Sequence, residues 1–180
     1  MEEKETPKEE KREKEFSKRT TQLIALTALI LAVCATFSSL KAGGFSSRAI
    51  LAQNQASDGW AYYQAKSLKQ NTYKVQIDHM KMNPSLDAEQ KAKLIDKYHK
   101  TVDRYEEEQK EISEKAKASE TARDRFLVLY GSFAGALTYL QIAILLSSLA
   151  ALVKQIYFWY VSIGVGAVGI YFFVSTLLQI

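Results

Sequence analysis

Cysteine, proline and histidine are nearly missing from this chain of 180 residues, which has one Cys, two Pro and two His. The single thiol, Cys34, excludes an intrachain disulfide and any metal centre built on paired cysteines. It lies inside an apolar run and reads as a small buried apolar residue. Leu31-Ala32-Val33-Cys34 has the outline of a lipoprotein box, but Val33 stands where a small residue is wanted. Signal-peptide cleavage is also disfavoured, because the run is long enough to remain as a span. If the chain folds back about Pro84, position 79 faces roughly 90 and position 99 faces roughly 70 by helix rise. His79 and His99 then lie too far apart to share a metal, and Asp96 with His99 is too small a donor set. The sequence has no Gly-rich phosphate loop, no nucleophile elbow and no HExxH pattern. Ser57-Asp58 beside Tyr62 and Lys66 reads as solvated helix surface. Neither enzymatic activity nor a cofactor nor a metal is expected.

Charge is the next thing in short supply, but only locally. Residues 21–40, 126–153 and 156–180 contain no Asp, Glu, Lys or Arg, and nearly all charges fall in 1–20 and 48–125. Such blocks fit a membrane protein with a wet middle. The net charge of +4 raises nucleic acid or anionic lipid as partners. Acids and bases interleave, however: residues 1–20 hold seven Lys/Arg and seven Glu. Without a patch of one sign, nucleic-acid binding is not expected.

The division that follows has five parts. Residues 1–20 form a charged cytoplasmic segment and 21–43 the first transmembrane helix. Residues 44–125 form an extramembrane helical hairpin turning near 82–86, and 126–153 and 156–178 form the second and third spans. The uncharged stretch 21–40 reaches about 30 Å as a helix, the thickness of bilayer hydrocarbon. Only Lys154 and Gln155 separate the last two spans, which demands a tight antiparallel helical pair. Lys11, Arg12, Lys14, Lys18 and Arg19 precede span one, and Lys154 falls on the same side. The positive-inside rule therefore puts the N-terminus in the cytoplasm and the hairpin and C-terminus outside. Tyr157, Phe158, Trp159 and Tyr160 open span three where interfacial aromatics belong.

The hairpin is read from the scarcity of breakers. Residues 46–81 contain Gly59 and no Pro, and no breaker follows Ser85 until Gly131. Asn83-Pro84-Ser85 is the turn, with Ser85 as the helix N-cap. Acids four residues before bases, such as Glu89/Lys93 and Asp96/Lys100, support the returning helix by a few tenths of a kcal/mol each, roughly. Ile95, Val102, Gln109, Ala116 and Arg123 form one heptad row; Tyr98, Tyr105, Ile112, Ser119 and Phe126 form the other. The fold class expected is all-α: three transmembrane helices with a long extramembrane antiparallel coiled-coil hairpin.

On the outgoing arm, ASDGWAYYQAKSLKQNTY (56–73) gathers Trp60, Tyr62, Tyr63 and Tyr73 with Lys66. Trp60, Tyr63 and Ser67 share one helical face, and Tyr62 and Lys66 the adjacent one. Aromatics with polar tips suit a seam between arms, an oligomer contact or a partner-binding face. The stretch Ala56-Ser57-Asp58-Gly59-Trp60-Ala61-Tyr62-Tyr63-Gln64-Ala65-Lys66 resembles the ASDxWAYYQAK motif that marks an uncharacterised family of bacterial membrane proteins, a domain-of-unknown-function family. The likeness covers most of 20–178. It implies the three-span layout and a bacterial inner membrane, and no reaction, cofactor or partner. This chain departs from the family in having only Lys154 where several basic residues often join the last two spans.

Within the apolar stretches, Gln141 is the most expensive polar group and is expected to find an interhelical hydrogen bond. Gly131/Gly135 and Ser162/Gly166 offer small faces for intramembrane packing. The expected function is a non-catalytic integral membrane scaffold or adaptor, self-associating or holding a membrane or periplasmic protein through Trp60, Tyr62, Tyr63, Lys66 and Tyr73. The alternative is a subunit of a small oligomeric channel or transport accessory using Gln141, Thr138 and Ser148. The expected partners are the lipid bilayer and further copies of the chain.

Overall fold

The computed structural model describes residues 18–82 and 87–180. The expected turn residues Pro84 and Ser85 and most of the charged N-terminal segment lie outside the described residues. Among the described residues all regular structure is helical: α1 (Lys18–Met82, 65 residues), α2 (Ala88–Val153, 66 residues) and α3 (Ile156–Leu177, 22 residues). Neither α1 nor α2 contains a proline, so no residue removes a backbone donor from either ladder. Lys154 ends α2 in the left-handed region at φ 53, and the Gln155 N–H donates to the Ala150 carbonyl at 3.3 Å. That is the Schellman closure, built on Lys where Gly is the usual choice. It reverses the chain within two residues, as the short link required.

The contacts divide the chain into two units, one formed by the residues up to Ser47 with Phe126–Ile180, the other by Arg48–Arg125. In the first, each helix has a stretch long and apolar enough to cross a membrane. Only 22%, 28% and 22% of those stretches are buried, so most of their apolar surface faces outward. Leu23, Leu26, Leu29, Val33, Phe37 and Leu40 are exposed on α1, while Ala35, Ser38 and Ala42 are buried. A run of large apolar side chains turned outward is the reverse of a water-soluble surface, and small residues share the interior with Ile24, Leu31 and Phe45. Close backbone approach between small residues is the packing mode of helices in lipid.

That core has two clusters. Leu31 and Ala35 of α1 meet Leu140 and Ala143 of α2, with Val165 and Ile170 of α3 packed against them. Ala42, Phe45 and Phe133 form the other, joined by Phe173. Phe45 and Phe133 stack with centroids 5.9 Å apart, and Phe173 meets Phe133 edge-on at 5.9 Å. The Ser38 hydroxyl donates to the Phe133 carbonyl at 2.8 Å. Ser162 donates to the Ala143 carbonyl at 2.7 Å, so the 2.7 Å contact between Ser147 and Ser162 uses the Ser147 proton. Both buried hydroxyls are thereby satisfied, as polar groups away from water require.

In the second unit α1 and α2 run in opposite directions. Tyr73 lies against Tyr98 and Tyr105, Lys66 pairs with Glu108, Gly59 meets Ala116, and Gln53 accepts from Arg123. The inward positions of α1 are Ala49, Ala52, Ala56, Gly59, Tyr63, Lys66, Gln70, Tyr73 and Ile77, alternating by three and four. On α2 they include Val102, Tyr105, Gln109, Ile112 and Ala116, members of the two rows read from the sequence. The register differs from a symmetric fold about Pro84. His99 lines a groove with Lys74, Ile77, Asp78 and Lys81 rather than facing residue 70.

Candidate functional site

The aromatic stretch of α1 is best understood from its small residues. Ala49, Ala52 and Ala56 are buried, and a Cβ on Gly59 would lie 3.0 Å from the Ala116 Cβ and 3.5 Å from its Cα. The missing side chain lets the two backbones come close here. Polar groups that flank this tight section then reach across. Trp60 Nε1 donates to Glu120 Oε1 at 2.9 Å, and the Trp60 ring meets Tyr63 edge-on at 5.7 Å. The edge-on arrangement sets positive ring edge against negative ring face.

Lys66 occupies a cage one heptad further on. Its ammonium pairs with the Glu108 carboxylate and lies 5.3 Å from the Tyr62 ring centroid and 5.1 Å from that of Tyr105. The Lys66 side chain is only 16% exposed, so its charge is met by a carboxylate and two ring faces. The hydrogen bond to Glu108, with a further contribution from the Tyr62 hydroxyl, raises the Lys66 pKa above its ordinary value. The same hydrogen bond holds Glu108 below the ordinary carboxylate value against partial desolvation, with Lys66, Arg104 and Lys69 adding attraction. Arg104 also stands 3.6 Å from the other Glu108 oxygen and 5.3 Å from the Tyr105 ring centroid.

Beyond the cage, Gln70 and Gln109 are buried together. Gln109 Nε2 donates to Gln70 Oε1 at 3.1 Å, and Gln70 Nε2 donates to the Val102 carbonyl at 3.3 Å. Tyr73 completes the series, 5.2 Å from Tyr98 and 6.0 Å from Tyr105 between ring centroids. Among the described residues no buried side-chain nitrogen or oxygen lacks a partner.

The five residues of the candidate interaction face divide between the seam with α2 and the surface. Trp60, Tyr63, Lys66 and Tyr73 lie against α2, and Tyr62 stays exposed at the edge of the cage. Ser57 and Asp58 are exposed, as are His79 and His99. The partners Glu108 and Glu120 and the Gln70–Gln109 amide pair were not legible as a set. The alanines at 35, 42, 49 and 56 are the signal that was available, a seven-residue repeat of small side chains pointing to a seam.

The intramembrane candidates also separate. Ser162 and Gly166 are buried, and a Cβ on Gly166 would come within 2.8 Å of Leu31 Cδ2. Gly169 belongs with them: its Cβ would lie 3.0 Å from Leu140 Cγ and 3.1 Å from the Leu140 backbone nitrogen. Gly131 and Gly135 have open space where a Cβ would stand, and line a groove of about 380 Å³ with Tyr139 and Phe172. Gln141 is exposed on α2, and no hydrogen bond of its side chain is seen among the described residues.

No curated protein and no solved structure shows significant similarity to the chain. The family described as domain of unknown function DUF4337 matches residues 20–179, so the chain belongs to that family.

Proposed function

We propose that the chain is a non-catalytic scaffold of the bacterial inner membrane. Its three apolar helices cross the bilayer, and an extracytoplasmic coiled-coil hairpin self-associates or holds a membrane or periplasmic protein. One observation carries the reading: the chemically conspicuous side chains Trp60, Lys66 and Gln70 are engaged with Glu120, Glu108 and Gln109 of the opposite arm. Side chains committed to fixing two helices in register supply stiffness and a defined surface. Tyr62, exposed at the rim of the Lys66 cage, is the member of the motif best placed to meet a partner.

Orientation follows from basic residues near Arg19 and from Lys154, which favour a cytoplasmic N-terminus and an external C-terminus. A second reading, a subunit of a small oligomeric channel or transport accessory, is favoured by Thr138, Gln141 and Ser148 lying exposed on α2.

Purification of the full chain in mild detergent with mass measurement of the intact complex tests the scaffold. The expected result is a complex heavier than one 20.3 kDa chain that weakens in Trp60→Ala or Tyr63→Ala protein. A lone chain that carries nothing with it would overturn the reading. Ion flux in proteoliposomes that depends on Gln141 would move the conclusion to the channel.

A further inference from the structure

The back of the outgoing arm differs from the back of the returning one. In the Arg48–Arg125 unit the exposed large apolar side chains among the described residues are Ile50, Leu51, Tyr62, Leu68, Val75 and Met82. All of them belong to α1. Leu68, Val75 and Met82 are 70%, 60% and 82% exposed, seven residues apart. Ala61 extends that row by one more heptad, and Ala65, Thr72 and His79 form a second row at the alternating four and three spacing. Each position up to His79 lies two residues after an inward one, about 200° around the helix and so opposite the seam with α2, and Met82 continues the row by one heptad. None of these seven residues is Asp, Glu, Lys or Arg. The corresponding back of α2 carries Arg104, Glu107, Glu111 and Glu114, all exposed.

We propose that this outward stripe of α1, from Ala61 to Met82, is a parallel two-fold interface with a second copy of the chain. Its spacing is that of a helix–helix seam, and α1 already uses the same spacing on its inner face. Charge decides the occupant. The α2 back cannot cover the stripe without burying unpaired carboxylates and a guanidinium. The stripe itself, being uncharged, covers its own copy with no like-charge opposition. The parallel sense rests on the membrane-scaffold reading above: copies inserted in one bilayer share an orientation and a high local concentration. A two-fold axis along the membrane normal then sets Leu68 against Leu68 and Val75 against Val75.

The test is disulfide trapping of full-length protein in native membranes, in a Cys34→Ala background, with Leu68→Cys, Val75→Cys, Glu107→Cys and Glu111→Cys compared under one added oxidant. The expected result is a dimer band for the first two and none for the last two. Leu68→Glu, an exposed change that leaves the helical signal in circular dichroism intact, is expected to abolish the dimer seen by intact mass. Trapping at Glu107 or Glu111 as strong as at Leu68, or none at Leu68 and Val75, would overturn the interface. A hetero-complex without homodimer trapping overturns it too, while leaving the scaffold standing. Release of the protein by alkaline carbonate removes the shared bilayer and overturns both the parallel pairing and the span reading.

Discussion

Gln109 stands between Val102 and Ala116 in a heptad row of α2, and its position opposite Gln70 explains why a polar residue is tolerated there. The Gln109 amide donates to the Gln70 oxygen, and the Gln70 amide donates in turn to the Val102 carbonyl. Gln109→Leu leaves buried Gln70 short of a donor, and a loss of about 1–3 kcal/mol is expected. The double change Gln70→Leu, Gln109→Leu removes both polar groups and is expected to be nearly neutral, measured by thermal unfolding in detergent. Lys66 and Glu108 give the hairpin a pH dependence. Glu108 is held below its ordinary value, so the stability it supplies is present above the carboxylate range and lost as pH falls through it. Lys66 is held above its ordinary value, so its share persists through neutral pH and fails only as pH rises beyond the ammonium range. Glu108→Gln is expected to flatten the acid limb of a plot of melting temperature against pH; an unchanged limb would show that the pair contributes nothing. Trp60, Tyr63 and Lys66 stood out in the sequence by composition. Their partners did not, because Glu108 and Glu120 are two among many acids on α2 and only the register selects them.

At the scale of the helices, existence and limits were legible from what is missing. Proline is absent from 18–82 and from 87–180, and Lys154-Gln155 is the single interruption between the last two apolar stretches. The inward rows of α2 were legible because Tyr98, Val102, Tyr105 and Ile112 are large. On α1 the aromatics Tyr63 and Tyr73 pointed to a seam, but its full course did not show, because Ala49, Ala52, Ala56, Gly59, Lys66 and Gln70 are residues that a search for large apolar side chains passes over. Close approach at Gly59 gives a direct test. Gly59→Val places branched carbons against Ala116 and is expected to destabilise the hairpin by about 1–3 kcal/mol through overpacking. Gly131→Val, where nothing stands near, is expected to leave stability nearly unchanged. Between α2 and α3, Ser162→Ala strands the Ser147 proton, for an expected loss of about 0.6 kcal/mol, the average for hydrogen bonds between membrane helices. Gly169→Val is expected to cost more, since the Leu140 backbone cannot step aside as the Leu31 side chain can at Gly166.

For the whole molecule, the block pattern of charge gave the division into apolar and polar parts, and the contacts divide the chain at Ser47 and Phe126. The proposed direction of insertion rests on the basic residues Lys11 to Arg19 and on Lys154. Labelling of intact cells with a membrane-impermeant maleimide tests insertion most directly, using Glu2→Cys and Lys100→Cys in a Cys34→Ala background. Three crossings with an external hairpin predict that Lys100→Cys reacts in intact cells and Glu2→Cys only after lysis. Equal reaction of both positions before lysis would contradict the account.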